Sequence, residues 1–277
     1  MGKTSITILT ASNENPKYLD CIPLYIDFWL LNNSPQVLYE IVPKVFLVAK
    51  KIPAHLEKYK EYIELIPEWG DLDSAFISQS IRLLKPALEK TDFVITSDVD
   101  MLPLNSKMIK HCLNSFGDSD HFILYQNEIA EREYLICYNF STPKNWLSLM
   151  WTGKTKESDL EILRVLLNLR GGIHGYQPIH GHPGWTIDQE WLFSNIQQNQ
   201  DLTFKQITQD DVKRHRLDRE RHTGLTKWLA SLLVIFGYFD DYHVHHPILK
   251  NLRYVNFLKK LIMVRENIKN FYSNLSR

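Results

Sequence analysis

Two aspartates, Asp98 and Asp100, follow the apolar run Phe93–Thr96 (FVIT) and precede Met101, Leu102 and Pro103. Carboxylates at i and i+2, on a turn leaving a buried strand, can reach one hard divalent cation directly or through water. Mg²⁺ and Mn²⁺ take oxygen ligands and keep positions open for substrate phosphates, so such a pair suits a metal–diphosphate complex. A short acidic turn is common in itself. The strand before this one and the proline after it set it apart. Far downstream, His243, His245 and His246 form the densest histidine cluster of the chain. On an extended segment 243 and 245 share a side and 246 takes the other, which makes His243 the first choice as a metal ligand and His245 the second. The second nitrogen of such an imidazole needs an acceptor, for which Asp240 or Asp241 is at hand. His174, His180 and His182, in the glycine-rich loop 171–185, are expected to shape an acceptor pocket instead. No HExxH pattern points to zinc hydrolysis.

The elements that must position these groups alternate in type. Ser5–Thr10 (SITILT) reads as a β-branched strand leading into a polar loop, Ala11–Lys17, and Tyr18–Leu31 as a helix with Pro23 early in it. Lys44–Ala49 reads as a second strand. Leu72–Glu89 has a helical apolar period with Asp71 or Asp73 able to cap it. FVIT is a third strand, apolar on both faces as the centre of a parallel sheet requires. Later, His121–Gln126 and Glu133–Asn139 look like strands, Asp159–Leu169 like a short helix, and Asp188–Asn195 like the opening of another. Strands alternating with helices predict an α/β layered fold whose ligands gather at the carboxyl ends of the strands. The residues at and just after the ends of the first and third strands then become the candidates for binding: Thr10, Ala11, Ser12 and Asn13, and Ser97, Asp98, Val99 and Asp100.

Taken together, these segments resemble the glycosyltransferases of the GT-A fold, which use a nucleotide-sugar donor and a DxD-bound metal. ITILTASNE is similar to that family's first strand and base-holding loop. Ser74–Leu88 followed by TDFVITSDVDMLPL is similar to its helix bearing a basic residue and its metal strand. Trp185–Phe193 (WTIDQEWLF) resembles an acidic segment on its acceptor side, and Asp241–His246 matches the place of a late histidine ligand. The resemblance implies a mixed, mainly parallel sheet flanked by helices in a single domain over 1–277, with a nucleotide-sugar half (about 1–125) and an acceptor half (about 126–277). It implies transfer of a sugar from a nucleoside-diphosphate sugar, UDP first among them, to a hydroxyl of a carbohydrate or glycoconjugate, with Mn²⁺ or Mg²⁺. It also implies a catalytic carboxylate at Asp188, with Glu190 in reserve, flanked by Trp185, Trp191 and Gln189. Asp188 could equally do no more than cap a helix.

Arg82 offers a rigid fork of donors to a diphosphate, or is a solvated helix arginine. Arg216 and Arg219 lie in 210–227, where six Lys or Arg face four Asp or Glu; such a run is usually a solvated surface, yet these two could meet the charge of a departing diphosphate. A phosphohydrolase of the haloacid-dehalogenase type also places DxD after a strand, but the residues after Asp100 are Met-Leu-Pro and the motif comes late. A non-catalytic carbohydrate-binding protein would use the seven tryptophans and thirteen tyrosines for sugar stacking.

Composition bounds the rest. Thirty-two Lys and Arg balance 32 Asp and Glu, so nothing draws the chain as a whole to nucleic acid. Three cysteines without a CxxC pair suit a reducing compartment and argue against a disulfide framework. The longest apolar run, Trp228–Phe239, is shorter than the roughly 20 residues a bilayer needs, and the N-terminus has no long apolar core. A cytoplasmic protein is expected. The segment 250–277 holds seven Lys or Arg against one Glu. It could lie on an anionic membrane, but Tyr254, Phe257, Leu258 and Leu261 fit one helical face and favour packing on the domain.

Overall fold

The computed structural model describes residues 3–33, 39–69, 72–117, 120–125, 133–151, 185–212, 215–218 and 224–275. Strands β1 (Thr4–Asn13), β2 (Tyr39–Val48), β3 (Ile63–Ile66), β4 (Phe93–Thr96), β6 (His121–Tyr125), β7 (Asn139–Ser141) and β8 (Thr203–Ile207) form a seven-stranded sheet in the order β3-β2-β1-β4-β7-β6-β8. β1 is parallel to both β2 and β4, and β7 alone runs against its two neighbours. A smaller sheet joins β5 (Met101–Pro103), β10 (Asp241–His243) and β9 (Arg216–Leu217). The predicted mixed, mainly parallel sheet flanked by helices is what the chain builds.

Both faces of the large sheet are covered, and the period of two shows why. In β2, Val45 and Leu47 enter one apolar cluster while Phe46 and Val48 enter the other. β4 divides the same way, with Ile95 on one side and Val94 on the other, and β6 sends Ile123 and Tyr125 against Phe122 and Leu124. Strands buried on both faces must be apolar throughout, which is why FVIT and KVFLVA have no polar alternation. Helix α2 (Ile22–Leu31) fills one layer, and α3 (Ser74–Leu84) the other, through Phe76, Ile77, Ile81 and Leu84.

Several boundaries differ from expectation. β1 runs on to Asn13, because Ala11, Ser12 and Asn13 keep their pairing with Phe46, Leu47 and Val48; they are strand end rather than loop. The first helix is broken into α1 (Pro16–Leu19) and α2, with Pro23 in the first turn of α2, where its missing N–H is not needed. β2 starts at Tyr39, not Lys44. The helix that carries Arg82 is α3, continued by a 3₁₀ turn at Lys85–Leu88. Its cap is Asp73, whose Oδ1 accepts from Ala75 N at 2.7 Å and Phe76 N at 3.3 Å. The expected strand 133–139 is displaced to Asn139–Ser141, since Tyr138 turns through a positive φ of 70° just before it. The expected helix 159–169 and the loop histidines 174, 180 and 182 lie outside the described residues, as does Gln126.

Candidate active site

β1 is flanked by β2 on one side and β4 on the other, so the chain crosses from one half of the sheet to the other at its carboxyl end. In open α/β sheets this is where ligands bind. A cleft of about 240 Å³ opens there. Ala11, Ser12 and Asn13 line it from β1, Ser78, Gln79 and Arg82 from α3, Asp98, Val99 and Asp100 from the turn after β4, and Tyr18, Trp185, Gln189 and His243 close its remaining sides. Asn13 is fixed by Nδ2 donating to Ser74 Oγ at 3.1 Å, which ties the end of β1 to the start of α3. Thr10 and Ser97 are fully buried and do not line the cleft. Ser97 instead joins the strands, its N–H donating to Leu9 O at 2.8 Å.

The two aspartates are held differently. Asp98 bends out of β4 into a turn closed by Met101 N donating to Asp98 O at 3.1 Å, and its carboxylate is ion-paired with Arg82 Nη1. Asp100 is buried and faces two imidazoles: His246 Nε2 stands 3.1 Å from Oδ2 and His243 Nε2 3.6 Å from the same oxygen. Burial alone would raise the Asp100 carboxyl, but the hydrogen bonds and charges of His243 and His246 outweigh it and hold it well below the usual carboxylate range. The register of the small sheet brings these groups together. β10 pairs antiparallel with β5, setting His243 opposite Met101, and Val244 N donates to Asp100 O at 3.0 Å.

The three histidines stand in different surroundings. His243 is at Asp100 as predicted, but the second imidazole there is His246, while His245 packs on the Tyr242 ring with centroids 6.2 Å apart. The alternation that paired 243 with 245 holds only along a strand, and β10 stops at His243. The acceptor beside His243 Nδ1 is Asp218, at 3.6 Å. Asp240 and Asp241, predicted for that place, serve the small sheet and its surroundings: Asp240 accepts from Asn105 Nδ2 at 2.8 Å, and Asp241 from the Tyr138 hydroxyl at 3.0 Å.

Arg82, its side chain 13% exposed, lies between two carboxylates. Besides Asp98, it donates to Asp188 Oδ2 from Nη2 at 2.5 Å and from Nε at 3.1 Å. Burial works against its charge, and Asp188 and Asp98 more than restore it, so the guanidinium is held charged. Asp188 is fully buried, and that burial raises its carboxyl against the opposing pull of Arg82. Its Oδ1 accepts from Gln189 N at 2.9 Å. Both of its oxygens are thus engaged, one by Arg82 and one by Gln189 N, and Asp188 lies behind Arg82 rather than in the lining of the cleft. Glu190 is exposed and accepts from Thr186 Oγ1 at 3.0 Å across the first turn of the helix Ile187–Gln198, so it too does not line the cleft. Gln189 does, and so does Trp185.

Arg216 pairs with Asp241 through Nε at 3.3 Å in the small sheet, away from the cleft lining, and Arg219 lies outside the described residues. Tyr18, Ser78 and Gln79 were not singled out by sequence. A signal existed for two of them: 78 and 79 lie four and three residues before Arg82 and share its helix face.

Among the described residues, no three His, Cys, Asp or Glu side chains stand as a closed set for a metal ion. The donor types fit a hard divalent cation nonetheless. Carboxylate oxygens of Asp98 and Asp100 and the imidazole of His243 all border the same cleft, and an ion of this kind leaves its other positions to phosphate oxygens. Asp100 and His243 fit best, since they already face one another.

No family model and no curated protein sequence matches the chain. Solved structures similar to it include the glycosyltransferase GlyE of Streptococcus pneumoniae TIGR4, at 14% identity and TM-score 0.49, covering all of this chain and 64% of that one; the chain thus spans less than two thirds of GlyE. The apo form of GlyE gives 14% identity and TM-score 0.47. The galactosyltransferase LgtC, solved with donor and acceptor sugar analogues, gives 12% identity and TM-score 0.44, covering 92% of this chain and 95% of its own. All three of these solved structures are of glycosyltransferases.

Proposed function

We propose that this chain is a glycosyltransferase that moves a sugar from a nucleoside-diphosphate sugar, UDP first among them, to a hydroxyl of a carbohydrate acceptor with the help of Mn²⁺ or Mg²⁺. One observation carries the reading: a single cleft at the carboxyl ends of β1 and β4 holds a carboxylate–imidazole group, Asp100 with His243, beside a charged arginine, Arg82. Anions and hard cations are both served within it.

Asp98, Asp100 and His243 would hold the metal, which supplies charge neutralisation to the leaving diphosphate. Arg82, kept charged by Asp188 and Asp98, gives the same side of the cleft a fixed cation in a desolvated place, where it counts for more than in water. Ser12 and Asn13 at the end of β1 offer hydroxyl and amide groups for base or ribose, and Tyr18 offers a ring face. Gln189 and Trp185, on the opposite wall, would orient the sugar by hydrogen bonding and stacking. Asp188 acts through Arg82 rather than on the substrate.

Calorimetry of UDP binding with and without Mn²⁺, followed by UDP release from a panel of nucleotide sugars, tests this reading. Metal-dependent UDP binding together with release from at least one donor supports it. A chain that binds neither UDP nor any nucleotide sugar in the presence of Mn²⁺ refutes it.

A further inference from the structure

We propose that the helix Gly224–Leu232 and the outer side of the C-terminal helix Leu252–Leu275 form one surface that docks on an anionic lipid membrane. The sequence Gly224–Leu232 spaces Leu225, Trp228, Leu229 and Leu232 at helical intervals, and i→i+3 hydrogen bonds from Leu233, Val234, Ile235 and Phe236 carry the winding onward. The stripe so made faces outward. Leu225 is 74% exposed and Phe236 82%, with Trp228, Leu229, Leu232 and Leu233 exposed between them. A contiguous apolar ridge of this kind is uncommon on a soluble surface unless it meets something.

The inner side of this helix explains why the ridge is not simply misplaced core. Ser231 Oγ bonds the Tyr254 hydroxyl at 2.6 Å, and Lys227 turns its amine inward over the Tyr254 ring at 3.8 Å. Lys227 and Ser231 are thus packed inward while the apolar residues turn out, the reverse of a helix meeting water. The two helices lie side by side: Trp228 meets Phe257 with ring centroids 5.0 Å apart, and Arg265 Nη1 donates to Val234 O at 3.4 Å. Of the face that periodicity picked out, the C-terminal helix buries Tyr254, Leu258 and Leu261 and half-buries Phe257; it also buries Val255 and Ile262, but leaves Met263, Val264 and Ile268 exposed.

Charge selects the occupant. The exposed charged side chains Lys250, Arg253 and Lys260 are all basic, and the acid of this helix, Glu266, is already paired with Arg265 and Lys269. Two copies meeting through this surface would set basic residues against basic residues. An anionic bilayer instead attracts them, while Leu, Trp and Phe enter the headgroup–acyl boundary. No helix among the described residues is long and apolar enough to cross a membrane, so the contact is one of lying on the surface.

Sedimentation of the full chain with vesicles of phosphatidylglycerol and phosphatidylcholine, beside vesicles of phosphatidylcholine alone, tests the proposal. The chain should pellet with the anionic vesicles, and added salt should weaken this. Leu229→Asp/Phe236→Asp should lower partitioning roughly tenfold or more with unchanged melting temperature and elution volume, since both side chains are already exposed. Lys250→Glu/Arg253→Glu/Lys260→Glu should do the same through charge alone. Failure of the parent chain to pellet with either vesicle, or pelleting that neither variant reduces, overturns the proposal. So does self-association without lipid that Leu229→Asp/Phe236→Asp abolishes, which would give the surface to a second copy.

Discussion

Arg82 Nη2 lies 2.5 Å from Asp188 Oδ2, and Nε of the same guanidinium lies 3.1 Å from that oxygen. Asp98 holds the other end of the fork. An arginine held between two carboxylates is pointed as well as charged, and the more deeply buried of the two, Asp188, fixes its aim. Asp188→Asn keeps size but turns one accepting oxygen into a donating amide and removes the compensating charge. It should retain metal-dependent UDP binding, lose roughly tenfold to a hundredfold in turnover through misdirected Arg82, and lose about 1–3 kcal/mol of stability. Arg82→Lys should lose turnover as well, because an ammonium cannot bridge both carboxylates. Glu190→Gln should leave turnover intact and stability within about 0.5 kcal/mol. Steady-state kinetics with denaturant melts reads all three, and a Glu190→Gln defect exceeding that of Asp188→Asn would return the base role to the exposed residue.

The metal expectation is read by Asp100. Asp100→Ala should abolish the part of UDP affinity that depends on Mn²⁺, and a chelator should reduce the parent chain to the same residual affinity. His243→Ala should weaken binding together with metal, by roughly tenfold or more. His246→Ala separates two roles for the nearer imidazole: a loss matching that of His243→Ala makes it a ligand, and a smaller loss makes it the partner that orients Asp100. His245→Ala should leave metal binding alone.

How much of this was open to sequence depends on distance along the chain. FVIT is a strand over the four residues read as one, and Asp73 is the cap out of the two, Asp71 and Asp73, that stand before the helical period. Both are local. Arg82 could not be decided between solvent and site, because the carboxylate that fixes it lies 106 positions away. His246 was ranked behind His243 and His245 for the same reason: its contact to Asp100 spans 146 positions, and alternation is a rule for strands, which end here at His243. Two residues of the WTIDQEWLF segment, Trp185 and Gln189, line the cleft, yet a segment does not say which neighbour turns outward. Asp188 went inward to Arg82 and Gln189 faces the cavity.

The cap of α3 ties stability to the site. Asp73 Oδ1 accepts two of the N–H groups that the first turn leaves without helical partners. Asp73→Ala should therefore cost about 1 kcal/mol, while Asp73→Asn should cost little. The residue next in the chain, Ser74, holds Asn13, so fraying of this turn should also weaken nucleotide binding. Denaturant melts and UDP calorimetry on the two variants should show both effects in Asp73→Ala and neither in Asp73→Asn.

The last prediction concerns Lys227, whose amine lies over the Tyr254 ring at 3.8 Å and the Tyr242 ring at 5.7 Å. Burial lowers its pKa from 10.5 to about 8. The unfolded chain keeps the ordinary value, so between about pH 8 and 10.5 the unfolded state binds a proton that the folded state does not. Stability then rises with pH across that window, by at most about 1.4 kcal/mol per unit. Below the window both states are protonated and the full cost of burying the charge is present. Lys227→Met removes the titration and the desolvation cost, at the loss of a cation–π contact of about 0.5–2 kcal/mol. Relative to Lys227→Met, the parent chain should therefore gain stability from pH 7 to 9.5, while other groups titrating in that range cancel in the difference. Urea melts of the two chains at both pH values measure it, and a pH-independent difference would mean that the amine is hydrated enough to keep its ordinary pKa.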